Sequence, residues 1–247
     1  MKHYSILIIF LALAAIATAQ TDNVSRWNYT ARIGLNIGAA SPTSIPQEIR
    51  EIKGFNPHLN LTAEASVGYR FSQRWTLTTG LKFEQMGMST YARVKNYSTE
   101  ITSEGSKVAG VWTGEVETDF SANALTLPLT VGYDLSRTLT LRVGFYGSYL
   151  MQHTFGGEVH DGYLRQGNPT GEKVVFDSDS HATYNFDNEL RDWHCGTTVA
   201  LDIYPLRHLV VTAQISYGFL NIFNNDFQTI SFSMHPIFGN IAIGYRL

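Results

Sequence analysis

Acidic and histidine side chains gather between Phe176 and His194, where their types could serve metal binding or catalysis. Carboxylates at alternate positions can bind Ca²⁺, but the segment lacks the glycine and the terminal glutamate of an EF-hand loop. His160, Asp161 and His181 could act as a general base, yet no Gly-x-Ser-x-Gly or other nucleophile motif accompanies them. We therefore predict a solvated acidic loop, with no catalytic residue, metal site or cofactor. An outer-membrane hydrolase or acyltransferase stays open as the third interpretation.

A second set of charged residues lies in segments whose polarity alternates. Leu59–Phe71 (LNLTAEASVGYRF) alternates apolar residues with polar or small ones, which is typical of a strand with two different faces. Each such segment has roughly the 9–11 residues of a tilted transmembrane strand, and together they predict an all-β, eight-stranded antiparallel up-and-down transmembrane barrel. The seven further segments are Tyr29–Ala39, Trp75–Glu84, Leu125–Leu135, Leu139–Gln152, His194–Tyr204, Leu209–Phe219 and Ile237–Leu247.

The charged residues of these segments fall on the polar face. On the inner face of a closed soluble barrel, five cations and four anions would be costly unless all were paired. In a narrow transmembrane lumen they can pair with one another and with trapped water, and eight strands enclose a space that side chains can fill. We therefore predict a lumen plugged by these residues, with a small-solute porin-like channel as the second interpretation. The predicted network is Arg32, Glu64, Arg70, Lys82, Glu84, Asp134, Arg142, Asp202 and Arg246.

Aromatic residues cluster at the ends of the segments that short connections join. Amphipathic rings favour headgroup depth in outer-membrane barrels, so this clustering predicts an aromatic girdle at one membrane interface. Tyr149, Phe155, Trp193 and Phe219 could contribute a second girdle at the opposite interface. The predicted first girdle is Trp27, Tyr29, Tyr69, Phe71, Trp75, Tyr133, Tyr204 and Tyr245.

The connections between the segments alternate in length. This rhythm is typical of long extracellular loops and short periplasmic turns, with both chain ends on the short-turn rim. The Ser/Thr/Gly-rich composition of Lys95–Gly110 predicts a loop, while Lys173–Phe176 (KVVF) is a candidate strand extension beyond the membrane. The long connections are residues 40–58, 85–123, 155–193 and 220–236, and the short ones are Ser72–Arg74, Ser136–Thr138 and Pro205–His208.

The amino-terminal residues have the pattern of a secretory signal peptide. An uncharged run, Ile6–Ile16, follows a charged start and precedes the small-residue site Ala17–Ala19. We predict removal of residues 1–19 after Ala19, which leaves Gln20 as the first mature residue. Residues 20–247 contain no linker or composition shift and are predicted to form one barrel domain.

The composition excludes several classes of protein. Hydrophobic residues make up 44% and charged residues only 16%, which suits strands whose exposed face contacts lipid. No second apolar run reaches the roughly 20 residues of a membrane helix, which excludes helical membrane proteins. Cys195 is the single cysteine, so no internal disulfide forms, and a formal charge of -3 without a basic patch argues against a nucleic-acid partner.

Three strand segments together resemble a known family. They are ALTLPLTVGYDL at Ala124–Leu135, LTLRVGFYGSYL at Leu139–Leu150 and IAIGYRL at Ile241–Leu247, and they resemble the PorT-like outer-membrane β-barrel family of Bacteroidota. The resemblance implies the outer membrane of a Gram-negative bacterium and an eight-stranded barrel in contact with membrane lipid. It also implies envelope or secretion proteins as partners, because the family's founding member is associated with a protein secretion system. We therefore predict a non-enzymatic envelope or secretion-accessory protein.

Overall fold

The computed structural model describes residues 26–42, 45–103, 106–177 and 180–247, which fold into an antiparallel sheet of eleven strands. No helix in these residues is long and apolar enough to cross a membrane. The predicted cleavage site between Ala19 and Gln20 lies outside the described residues. The strands are β1 Trp27–Pro42, β2 Ile49–Pro57, β3 Asn60–Arg70, β4 Trp75–Ser103, β5 Ser106–Ser136, β6 Leu139–Gln166, β7 Lys173–Phe176, β8 Ala182–Asn185, β9 Trp193–Ile203, β10 Leu209–Gly218 and β11 Met234–Arg246.

Within the described residues, eight of these strands close into a barrel, in the order β1, β3, β4, β5, β6, β9, β10 and β11. The ring is completed by β11 and β1, which pair from Arg246 opposite Thr30 to Met234 opposite Pro42. All neighbouring pairs are antiparallel, and each segment predicted from the alternating pattern corresponds to one of these strands. The prediction of an eight-stranded antiparallel up-and-down barrel is confirmed.

The part of the barrel next to the short turns is polar inside and apolar outside. On β3, Asn60 and Thr62 are buried in the interior, whereas Leu61 between them is 54% exposed. A band of exposed apolar side chains surrounds this part, which suits contact with lipid. We call it the transmembrane barrel, and its outward residues include Ile33, Leu35, Leu81, Leu127, Leu129, Val143, Phe145, Val199, Ile215, Ile241 and Ile243.

Three strands continue far beyond this band. With 29, 31 and 28 residues, β4, β5 and β6 are almost three times as long as the roughly 9–11 residues that cross the membrane. The β4–β5 ladder runs on to Ser103 opposite Ser106, so the loop predicted at Lys95–Gly110 is wrong, because the described residues of this segment belong to β4 and β5. The predicted strand extension Lys173–Phe176 is confirmed as β7, which pairs with β6. We call the outer parts of β4–β6, together with β2, β7 and β8, the extracellular extension.

A β-bulge changes which residues of β6 point inward. Asn123 lies opposite Gln152 but the next residue, Ala124, lies opposite Leu150, so β6 contains one extra residue at this point. The extra residue shifts the alternation by one position. Phe155, predicted for the second girdle, is therefore only 2% exposed and lies inside the extension, so that prediction is wrong.

The interior of the extracellular extension is apolar. Trp112 is fully buried and meets the ring of Phe176 edge to face, at 5.6 Å between the ring centroids. The last connection also supplies side chains to this interior, and Phe223 packs against Phe155 at 5.0 Å. The same core reaches down to Phe238 on β11, above the polar interior of the transmembrane barrel. Its other members include Met88, Val94, Ile101, Val116, Phe120, Val159, Leu164, Phe186, Ile222 and Met234.

Candidate functional site

The centre of the transmembrane barrel holds a four-residue ion-pair cluster. Arg142 binds Asp202 through two hydrogen bonds, of 2.6 Å from Nε and 3.0 Å from Nη2. Arg32 lies 2.8 Å from a carboxylate oxygen of Glu64 and 3.4 Å from one of Asp202. Arg32, Arg142 and Asp202 are each at most 5% exposed. Two cations thus meet two anions inside the barrel, and the cluster is neutral.

Neighbouring strands place this cluster through their register. Arg32 on β1 lies directly opposite Glu64 on β3, while Asp202 on β9 lies opposite Thr212 on β10. The Thr212 hydroxyl accepts a hydrogen bond from Arg32 at 3.2 Å and donates one to Asp202 at 2.7 Å. Gly244 faces Arg32 on its other side, where a Cβ would lie 2.7 Å from the Arg32 Cγ. Only glycine therefore leaves room for this arginine.

A second group lies nearer the extracellular end. Lys82 is 2.7 Å from Glu84, two residues further along the same face of β4. Glu84 also accepts hydrogen bonds from the Thr126 hydroxyl at 2.5 Å and from the Asn36 side chain at 3.2 Å. Asn36 in turn accepts a bond of 2.8 Å from Asn240. A buried charge is costly unless it is paired and hydrogen-bonded, and this group meets both conditions.

A third group lies at the periplasmic end. Arg70 is 2.7 Å from Asp134, which also accepts a hydrogen bond of 2.6 Å from the Thr140 hydroxyl. Arg246 has no carboxylate partner within the described residues, and its guanidinium lies 4.4 Å from the centre of the Tyr204 ring. The structure therefore brings eight of the nine predicted charged residues into ion pairs, and Arg246 stands apart from them.

Little free space is left between these groups and the apolar core above them. A cavity of about 30 Å³ lies between Glu84 and Arg142 on the polar side and Phe120 and Phe238 on the apolar side. A second cavity of about 30 Å³ lies around Asp202 at the periplasmic side of the cluster. Each has room for at most a few water molecules.

Most of the predicted aromatic girdle lies on the outer surface. Trp27, Phe71 and Trp75 are exposed, as are Tyr29 and Tyr245. Two tilted ring pairs join neighbouring strands here, Trp27 with Tyr69 and Trp75 with Tyr133, each with 4.8 Å between ring centroids.

Tyr204 departs from the predicted girdle. It lines the interior beside Asp202 and Arg142, because the preceding residue, Ile203, points outward and successive side chains of a strand alternate. Its assignment to the girdle is therefore wrong. At the extracellular end, Tyr149 and Trp193 form an exposed ring pair at 4.8 Å, and Phe219 is also exposed.

The sequence patterns missed a charged cluster in the extracellular extension. The side chain of Glu115 is only 3% exposed and lies 2.7 Å from Lys53 on β2 and 2.9 Å from Arg93 on β4. Burial alone would raise the pKa of Glu115, but the two cations lower that pKa below its ordinary value. These ion pairs attach β2 to β4 and β5. The cluster's one signal in the sequence is a carboxylate within the long connection predicted at residues 85–123.

The residues considered for catalysis do not assemble into a site. His160 contacts its neighbour Asp161 at 3.0 Å and stacks on the ring of Tyr91 at 5.9 Å, whereas His181 is exposed. Among the described residues, no three His, Cys, Asp or Glu side chains are grouped so that they could hold a metal ion.

Residues 18–224 match the family model described as "Outer membrane protein beta-barrel domain". Among solved structures, the chain is similar to Ail, the attachment invasion locus protein of Yersinia pestis, with 10% identity and a TM-score of 0.37 over 89% of this chain and 98% of that one. It is also similar to OprG from Pseudomonas aeruginosa, with 12% identity and a TM-score of 0.40 over 90% of this chain and 97% of that one. No curated protein matches the chain.

Proposed function

Because the chain belongs to the outer membrane protein beta-barrel domain family, we propose that it is a closed, non-enzymatic barrel whose extracellular extension binds another envelope component. The protein lies in the outer membrane of a Gram-negative bacterium. Its extension therefore faces the outside of the cell, and the short turns face the periplasm.

The filled interior is the observation that carries this proposal. Three groups of ion pairs occupy the transmembrane barrel, and the apolar core of the extension lies directly above them. The cavities between them hold about 30 Å³ each, which is far too little for a continuous column of water. A barrel closed in this way is suited to holding a surface outside the cell and unsuited to conducting solutes.

The shape of the extension supports a binding role. The strands β4, β5 and β6 are paired along the extension, so it presents an ordered surface. A set of flexible loops would not present such a surface. Ile52 on β2 and Val175 on β7 are 55% and 64% exposed on that surface. The resemblance to the PorT-like family supports a partner that belongs to a protein secretion system.

Planar-bilayer recording of the purified full chain tests the closed lumen. The protein should give no stable single-channel current, and a reproducible conductance step would overturn the proposal in favour of a small-solute channel. The heat-modifiable shift on an electrophoretic gel, measured on the same sample, would show that the inserted protein is folded.

Photo-crosslinking in intact cells tests the binding role. A photoreactive amino acid at Val175 should give a discrete adduct with an envelope protein, because this side chain projects from the extension. The same residue placed at Leu127, on the lipid-facing wall, is the matched control and should give no such adduct. Equal results at the two positions would contradict a binding surface on the extension.

A further inference from the structure

An apolar pocket lies in the extracellular extension, separate from the charged interior of the transmembrane barrel. Its volume is about 280 Å³, just below the roughly 300–1,000 Å³ typical of small-molecule sites. Its walls come from the outer end of β1, from β2, from β4 and β5, and from the last connection. None of the described residues that line it is charged; they include Ala40, Ile49, Met88, Ala92, Val116 and Phe232.

The pocket opens sideways because the wall of the barrel has a gap at this height. The β1–β3 ladder ends at Asn36 opposite Asn60, and beyond that point the described part of β1 pairs with β11 alone. The neighbouring strand at this height, β2, pairs with β4 alone and with two irregularities in register. The outer end of β1 and the free edge of β2 therefore flank an opening into the apolar interior.

The opening lies directly above the lipid-facing band. Leu35 and Leu61 lie opposite each other at the top of the β1–β3 ladder, and both point outward. Exposed apolar side chains continue upward from them through Leu59, at 77% exposure, to Ile52 and Phe55 on β2. A molecule that leaves the hydrocarbon of the outer leaflet would thus meet apolar surface all the way to the pocket.

We propose that the pocket is a binding site for a single alkyl chain, which enters through the gap between β1 and β2. Cavities with a mainly apolar lining take up apolar molecules, and this lining is apolar except for the polar groups of Ser41, Thr90, Tyr97 and Thr118. With no charged side chain in its lining, the pocket selects the methylene part of an amphiphile and leaves its headgroup at the opening. The chain of a membrane lipid and that of a free fatty acid have this chemistry in common.

The test uses the full chain in vesicles of phosphatidylcholine with two photoreactive probes. One is palmitate that carries a diazirine in its chain, and the other is phosphatidylcholine that carries the same group in an acyl chain. At least one probe should label inward-facing residues of the pocket such as Val94 and Val116. Labelling by the lipid probe alone identifies membrane lipid as the source, and labelling by palmitate alone identifies a free amphiphile.

A filling variant decides whether the labelling depends on the pocket. Ala92→Phe should reduce labelling of Val94 and Val116 at least about tenfold, because it removes room for roughly two methylene groups. Ala65→Phe, the same change at an exposed position of β3 outside the pocket, should leave the labelling unchanged. If Ala92→Phe makes the extension sensitive to protease, Ala40→Leu fills the pocket from the β1 side instead.

Two outcomes would overturn the inference. One is that neither probe labels the inner residues, and the other is that filling the pocket does not reduce their labelling. Neither outcome would contradict the closed lumen. A conductance step would likewise not contradict the binding of an alkyl chain in this pocket.

Discussion

The transmembrane barrel is polar inside and apolar outside, whereas the extracellular extension of the same sheet has an apolar interior. On β4, the inner face carries Lys82 and Glu84 within the membrane, and then Met88, Val94 and Ile101 beyond it. The hydrophobic effect accounts for both regions, because apolar side chains are most stable where they do not contact water. In the transmembrane barrel they face the lipid outside, and in the extension they face the interior. One strand can therefore satisfy two opposite patterns in succession.

The two interiors are also stabilised differently. The transmembrane barrel depends on ion pairs that are strong only while each charge keeps its partner, as Asp202 does with Arg32 and Arg142. The extension depends on close packing around Trp112 and Phe155, where the stabilisation comes from buried apolar area. Substitutions in the two regions should therefore lower the stability of the protein for different physical reasons.

The largest expected effect is that of Asp202→Ala. It removes the shared partner of two buried arginines and should cost about 3–5 kcal/mol of the free energy of unfolding, because breaking a buried pair leaves uncompensated charge. Urea unfolding from lipid vesicles measures this loss. Asp226→Ala, at an exposed position, is the matched control and should have little effect. A loss of under about 1 kcal/mol for Asp202→Ala would show that the ion pairs do not hold the barrel.

Trp112→Ala should have a comparable effect confined to the extension. Emptying this fully buried site should cost about 3–5 kcal/mol locally, through lost burial and the cavity left behind. Protease cleavage within the extension should become much faster while the heat-modifiable shift of the transmembrane barrel persists. Val175→Ala on the exposed surface serves as control. Loss of the shift together with the fast cleavage would mean that the two regions unfold as one.

A charge on the outer wall should have a smaller effect that depends on depth. Leu127→Arg, near the middle of the lipid-facing band, should cost about 2–4 kcal/mol, whereas Leu135→Arg near the short turns should cost about 0–1 kcal/mol. Both side chains lie on β5 and point outward, so they differ in depth but not in face. Equal costs, measured by refolding into vesicles, would contradict the position of the band.

The smallest effect concerns pH and the attachment of β2. Because the pKa of Glu115 is lowered in the folded protein, its ion pairs stabilise β2 above the ordinary glutamate pKa of about 4.3 and are lost as the pH falls through the lowered value. The protection of the β2 amides, measured as their hydrogen-exchange rate relative to the intrinsic rate at the same pH, should therefore be high at neutral pH and fall in acid. Glu115→Gln should abolish this pH dependence, and an unchanged profile in that variant would rule out the carboxylate as its origin.

The transmembrane barrel could be predicted from local patterns. A strand with lipid on one side and a polar lumen on the other has a strict period of two, and each of its segments shows this period without help from its neighbours. The partners within the lumen could not be predicted in the same way. Arg32 reaches Asp202 from β1 to β9, which are not adjacent strands, so this contact depends on how the sheet closes.

The extracellular extension escaped prediction because its alternation is interrupted. A shift in register between Val94 and Tyr97, with Asn96 at a φ of 56°, lies in the segment predicted to be a loop, and a further bulge lies on β6 between Leu150 and Gln152. Each extra residue moves the following side chains to the other face, so a strict alternation of inward and outward residues no longer predicts their direction. Phe155 was misplaced for this reason. The girdle prediction is wrong for Tyr204 because a position at the end of a strand does not determine which face the side chain takes.

Spin labels on β5 test the reversal of the two faces most directly. In a Cys195→Ser background, which removes the exposed native cysteine, single cysteines at Leu127 and Glu117 would each carry a label. Both positions point outward on β5. The label at Leu127 should be accessible to oxygen and protected from a water-soluble nickel complex, and the label at Glu117 should show the opposite. Oxygen access without nickel access at both positions would contradict the account, because the strand would then remain in lipid throughout.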